Sequence, residues 1–254
     1  MIADFNCRVG EGPVWDPKRQ VLDWTDIQTG RMFEYNPATG ESRKIYQGEY
    51  IGGCANNKQG GKLMASWSGI GLWREGEDIS YIHQGLYRGR NLQFNDVSAS
   101  PAGQLYAGTY YNGDPPGTLY RFDPDGSINL IEDNVGISNG IGYSPDLSTV
   151  YFIDSLTRKV SAYDLDAKSG DWSNKRTLVT LGDNEGIPDG MTVDGEGFLW
   201  VATWGGGCII RFDPEGKEER RIHFPATQTS SAMFGGKDLN ELYVTTAWNG
   251  TGEA

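Results

Sequence analysis

Four side chains in this 254-residue sequence could act together on a metal ion: Glu11, Asn95, Asn139 and Asp189. They lie in the contexts GEGPVW, QFNDVS, ISNGIG and IPDGMT, each an oxygen-bearing residue set among glycine, proline and apolar residues. Taken singly, Asn-Asp, Asn-Gly and Asp-Gly are turn-forming dipeptides. Taken together they share a phase, because each polar residue stands 10 or 11 positions before an apolar anchor at Leu22, Leu105, Val150 or Leu199. Two carboxylates and two carboxamides are hard donors, suited to Ca2+, Mg2+ or Mn2+, and oxygen donors also accept Zn2+. Two negative charges offset a divalent cation, whereas paired carboxylates without one raise each other's pKa. No His or Cys joins the set, which argues against a structural zinc site.

The elements that must position these residues show as a repeat. Six segments, anchored at Leu22, Leu63, Leu105, Val150, Leu199 and Leu242, recur 41 to 49 residues apart, each with an apolar strand, a short turn and a second strand. That period with strand–turn–strand content predicts an all-β, six-bladed β-propeller spanning residues 1–254 as one domain. Innermost strands line the channel of such a fold, so the four polar residues are expected to converge on its axis. The same place in the second repeat is Gly52 or Gly53, and in the sixth Ser231 or Ala232, small residues expected to leave room for a ligand. Glu11 is expected to sit between Gly10 and Gly12 because the channel must stay open at the metal. The sixth repeat has too few residues after Leu242 for two more strands. Its outer strands are therefore expected to be absent, with a C-terminal segment missing from this chain.

Composition narrows the class. Glycine supplies 36 residues, twice the usual share of about 7%, and with 8 Trp and 13 Tyr this suits short strands and tight turns. A net charge of -12 disfavours a nucleic-acid groove. No apolar run reaches the roughly 20 residues of a membrane span. Cys7, Cys54 and Cys208 are odd in number and far apart, so no disulfide framework is expected. The first residues, MIADFNCRVGEG, lack a basic start and an apolar core, which with the cysteine usage predicts a cytoplasmic protein without a signal peptide.

Seven motifs in order, GEGPVWD, FND, ISNG, YFIDS, PDGMTVDGEGFLWVA, IIRFDPEGK and FGGKDLNELYVT, resemble the gluconolactonase/regucalcin-like family, also called the senescence-marker-protein family. The resemblance implies a six-bladed propeller with one divalent cation in its channel. It implies hydrolysis of a sugar lactone, although some members are named for calcium binding. Carried over, it makes Glu11, Asn139 and Asp189 metal ligands, sets Asn95 at both metal and substrate, and makes Asp189 the general base. Gln93, Asn95 and Asp96 fall to the substrate. Gln93 stands where the family often has an arginine, so it would donate a hydrogen bond without charge. Arg90 and Arg88 are close enough in sequence to substitute only if their loop bends.

This implied chemistry is consistent with the donor set. A cation polarises a lactone carbonyl and acidifies water, and Asp189 can accept the proton of the attacking water. There is no Gly-x-Ser-x-Gly elbow, and His83 and His223 are isolated from the channel motifs. Trp67, Tyr110, Trp204 and Trp248, four to six residues after their anchors, either pack between blades or wall the channel mouth. Of Asp26 and Asp154, at the ends of second strands, Asp154 is the better placed to touch the site. Three functions compete: a metal-dependent sugar lactonase, a calcium-binding regulatory propeller without turnover, and a scaffold for protein partners. Converging carboxylates argue against the third.

Overall fold

The computed structural model of the protein describes residues 1–87, 89–110 and 116–248. Strands run as antiparallel meanders, each repeat folding out from the axis in chain order. The first blade holds β1 (Gly10–Asp16), β2 (Val21–Asp26), β3 (Arg31–Asn36) and β4 (Glu41–Gln47). The second holds β5 (Ile51–Asn56), β6 (Lys62–Ser66), β7 (Gly69–Trp73) and β8 (Ser80–Gln84). A short ribbon, β9 (Leu86–Tyr87) with β10 (Arg90–Asn91), follows. The third blade is β11 (Phe94–Ala99), β12 (Leu105–Thr109), β13 (Gly117–Phe122) and β14 (Ile128–Val135). The fourth is β15 (Ser138–Tyr143), β16 (Thr149–Asp154), β17 (Lys159–Leu165) and β18 (Trp172–Thr180). The fifth is β19 (Ile187–Val193), β20 (Leu199–Trp204), β21 (Cys208–Phe212) and β22 (Glu218–His223). A last hairpin joins β23 (Gln228–Gly235) to β24 (Glu241–Ala247).

The expectation of six blades is therefore corrected to five four-stranded blades. The sixth repeat contributes only the β23–β24 hairpin among the described residues, and Gln228 bridges to Trp204 of β20, so that the hairpin extends the fifth sheet. Residues 249–254, where the chain would continue past β24, lie outside the described residues. The inner strands nevertheless close a ring: β1 packs on β5, β5 on β11, β11 on β15, β15 on β19, β19 on β23, and β23 back on β1.

Strand burial follows from this arrangement. The second and third strands of a blade are covered on both faces, and β2 and β13 are buried along their whole length, their polar side chains included. Outer strands face water, as in β4 and β8, and β8 alternates between exposed and half-buried residues along its length. Apolar clusters fill the seams between neighbours. Met32 of the first blade meets Ile51 and Met64 of the second. Tyr151 and Ile153 of the fourth meet Leu199 and Val201 of the fifth. Trp15 and Trp24 meet Tyr243 of the last hairpin. The only helices among the described residues are two 3-10 turns, and none is long and apolar enough to cross a membrane. The three cysteines are free.

Candidate functional site

Each inner strand is broken by a bulge close to the predicted residues. Pairing slips between Phe94 and Val97, so that Asn95 and Asp96 face a single residue of β12. It slips again between Ser138 and Ile141 around Asn139, and between Pro188 and Met191 around Asp189. In β1 the irregularity starts at Glu11 and ends at Val14. A bulge breaks the alternation of side chains and re-aims the residues within it. It can thus turn several polar groups toward one axis without turning the rest of the strand.

The glycines beside these residues have a different role from the one expected. Gly140 and Gly190 are not in the left-handed region, although Asn-Gly and Asp-Gly commonly make turns. A Cβ on Gly140 would stand 2.6 Å from the Met191 nitrogen, and one on Gly190 would stand 2.1 Å from Ser231 Oγ. They are glycines because adjacent inner strands approach too closely for a side chain. The same holds for Gly52, whose Cβ would lie 2.3 Å from the Asn95 carbonyl oxygen, and for Gly10, at 2.6 Å from that of Thr246. Gly52 therefore marks tight packing between inner strands, and Gly10 tight packing of β1 against β24, rather than open ligand space. Gly12 differs, since at φ +51 it forms the bulge itself.

Glu11, Asn139 and Asp189 are all buried, while Asn95 and Asp96 are half-buried. The two carboxamides are held in a defined order. Asn95 Nδ2 donates to the Ser138 carbonyl at 2.9 Å and to Asn139 Oδ1 at 3.0 Å. Asn139 Nδ2 donates to Ser155 Oγ at 2.8 Å, and Ser155 Oγ donates to the Pro188 carbonyl at 2.6 Å. Both amides thus commit nitrogen to the protein and keep oxygen acceptor capacity.

The carboxyls form a second group. Burial, then the charge of Asp96, pushes Glu11 up to about 8, against the pull of the Gly12 amide, which donates to Oε2 at 2.9 Å. Burial, then Glu11 and Asp96, raises Asp189 well above the ordinary carboxylate range. Burial pushes Asp96 up to about 6 despite the Val97 amide at 2.7 Å. Among the described residues no basic side chain acts on any of the three. Among the described residues no three Asp, Glu, His or Cys side chains form a ready metal cluster. The donor set instead mixes carboxylates with carboxamide oxygens. It fits a divalent cation on two counts: every available donor is oxygen, and among the described residues no basic side chain acts on the carboxyls.

Of the other candidates, Asp154, Asp26 and Arg90 are engaged by partners outside this group. Asp154 is spent on structure, accepting the Gly136 and Ile137 amides at 3.1 Å, so it fixes the entry to β15 rather than facing the centre. Asp26 does likewise for the Val9 amide at 2.9 Å and pairs with Arg31. Arg90 is held by Asp133 at 2.5 Å on the outer strand β14, and Arg88 lies outside the described residues. Gln93 is half-buried at the entry to β11, its carbonyl accepting the Tyr110 amide at 2.8 Å. Trp67, Tyr110 and Trp248 are exposed and Trp204 is half-buried, and the Trp67 ring lies 4.3 Å from that of Tyr50. His83 and His223 sit on outer strands. Ser155 was missed in the sequence, where it is an ordinary serine after YFID.

The chain matches the family model described as SMP-30/Gluconolactonase/LRE-like region over residues 9–248. It is 38% identical over 249 residues to the pentonolactonase XacC of Haloferax volcanii, covering 97% of this chain and 84% of that protein. It is 39% identical over 256 residues to regucalcin of Xenopus laevis, covering 97% and 85%. Among solved structures, a calcium-binding regucalcin from Agrobacterium tumefaciens superposes with a TM-score of 0.91 at 26% identity, covering 98% of this chain and 85% of that one.

Proposed function

The chain belongs to the SMP-30/Gluconolactonase/LRE-like family, and from that premise we propose that it hydrolyses a sugar lactone to the aldonic acid at a divalent-cation centre. One observation carries the reading: the buried Glu11 and Asp189 carboxyls, with Asp96, meet at the inner-strand bulges beside two oriented carboxamides and without a basic partner. The relative named a pentonolactonase supports the substrate class.

Glu11, Asn139 and Asp189 would hold the cation, with Asn95 beside it. When bound, such an ion supplies charge for the lactone carbonyl oxygen and makes water more acidic. Asp189 takes the proton of the water that adds to the carbonyl carbon. As the ring C–O bond breaks, Asp189 returns the proton to the departing ring oxygen, and the product is an open hydroxy acid. Asn95 and Asp96, adjacent in the β11 bulge, orient sugar hydroxyls, and Gln93 adds an uncharged amide donor. The exposed rings of Trp67, Tyr110 and Trp248 offer apolar faces to a sugar.

The alternative is a calcium-binding propeller without turnover, favoured by relatives named regucalcin. A panel of five- and six-membered aldonolactones, assayed by proton release in weak buffer with Ca2+, Mn2+, Mg2+ or Zn2+, separates the two. Turnover of at least one lactone is expected. Stoichiometric cation binding with no turnover of any would establish the alternative.

A further inference from the structure

We propose that Ser155 is a positioning residue: its hydroxyl sets the Asn139 carboxamide so that Oδ1, not Nδ2, is presented to the cation, and ties that orientation to the strand carrying Asp189. The inference rests on Asn139 and Asp189 being cation ligands. A carboxamide turned by half a revolution would present an NH2 group, which repels a cation. The hydroxyl has one hydrogen, and it is committed to the Pro188 carbonyl at 2.6 Å. Toward Asn139, at 2.8 Å, it can therefore only accept, so Nδ2 must face it. The other side of the amide agrees, because Asn139 Oδ1 accepts Asn95 Nδ2 at 3.0 Å.

Ser155 is itself fixed. It is buried, its amide donates to the Ile137 carbonyl at 3.0 Å, and its carbonyl accepts the Arg158 amide at 3.0 Å. The carbonyl that orients its hydroxyl belongs to Pro188, the residue before Asp189. One hydroxyl thus links a ligand in the fourth blade to the backbone next to a ligand in the fifth. A displacement of either strand would disturb both donors.

The test is calorimetric titration of metal-stripped protein with Ca2+ and with Mn2+, alongside melting temperatures without cation. Ser155→Ala should weaken binding about 10–100-fold, the usual effect of losing a group that orients a metal ligand. Ser155→Cys is close in volume but a poor acceptor, should lose affinity likewise, and carries the test if the alanine variant does not fold. Ser155→Thr keeps the hydroxyl and should retain wild-type affinity. If wild type binds no cation, the centre itself is refuted, and the positioning role with it. If wild type binds and the folded Ala and Cys variants bind equally well, the positioning role is overturned while the centre stands. A lower melting temperature with unchanged affinity, or a threonine variant as weak as alanine, overturns it too.

Discussion

Cation binding should expel a proton from Glu11. Its carboxyl is pushed up from 4.5 to about 8, by burial first and by Asp96 second. In metal-free protein near pH 6.5 it therefore carries a proton, and a ligand must give that proton up. Apparent affinity should then rise about tenfold per pH unit until pH passes about 8. Asp189 is raised in the same direction, so its own proton steepens the rise. The stability of the metal-free fold runs the other way. Protonated Glu11 favours the folded state, and this contribution is complete below about pH 4.5 and lost as pH climbs through about 8. The total loss is on the order of a few kcal/mol. Melting temperature without cation should fall across that window, and saturating Ca2+ should raise it more at high pH than at low. Calorimetry in two buffers of different ionisation heat counts the protons, with about one expected from Glu11 near pH 7. Glu11→Gln should abolish that release and weaken binding. An affinity flat between about pH 5.5 and 8, with no proton exchange, would refute the reasoning.

Further outcomes follow from individual residues. Asp189→Asn should lower lactone hydrolysis by about 10²–10⁴-fold from lost base function alone, read as kcat at saturating cation; full activity would move the base to Asp96. Gln93→Ala should raise KM or shift the preferred lactone while leaving cation affinity intact, which calorimetry and a substrate panel check together. Gly140→Ala places a Cβ 2.6 Å from the Met191 nitrogen, and such overpacking costs about 1–3 kcal/mol, so thermal unfolding should shift down whether or not a cation is present.

Much of the fold could be read from the repeat because the anchors occupy one register. Trp15 faces Leu22, Tyr143 faces Val150 and Val193 faces Leu199, so counting back from each anchor reached the same point on successive inner strands. The count of blades was less legible, since a strand pattern in the sixth repeat does not reveal that β23 and β24 attach to the fifth sheet through Gln228 and Trp204. Bulges were invisible for a related reason: pairing defines them, not composition. The role of Gly140 and Gly190 was not legible either, because a sequence cannot distinguish a glycine needed for positive φ from one needed for close approach. Asp154 and Ser155 differ in what they touch. Asp154 caps the Gly136–Ile137 backbone, while the serine beside it touches Asn139, a difference that only the direction of each side chain at the strand end decides.

The central claim is that the inner-strand bulges build a cation centre that opens lactones. It is tested most directly by stripping the protein with a chelator and titrating a divalent cation back while following lactone hydrolysis. Negligible turnover is expected in the stripped protein, then activity that rises in proportion to added cation and levels off at about one equivalent, as befits a single oxygen-donor site. Full hydrolysis by the stripped protein, indifferent to both chelator and cation, would contradict it.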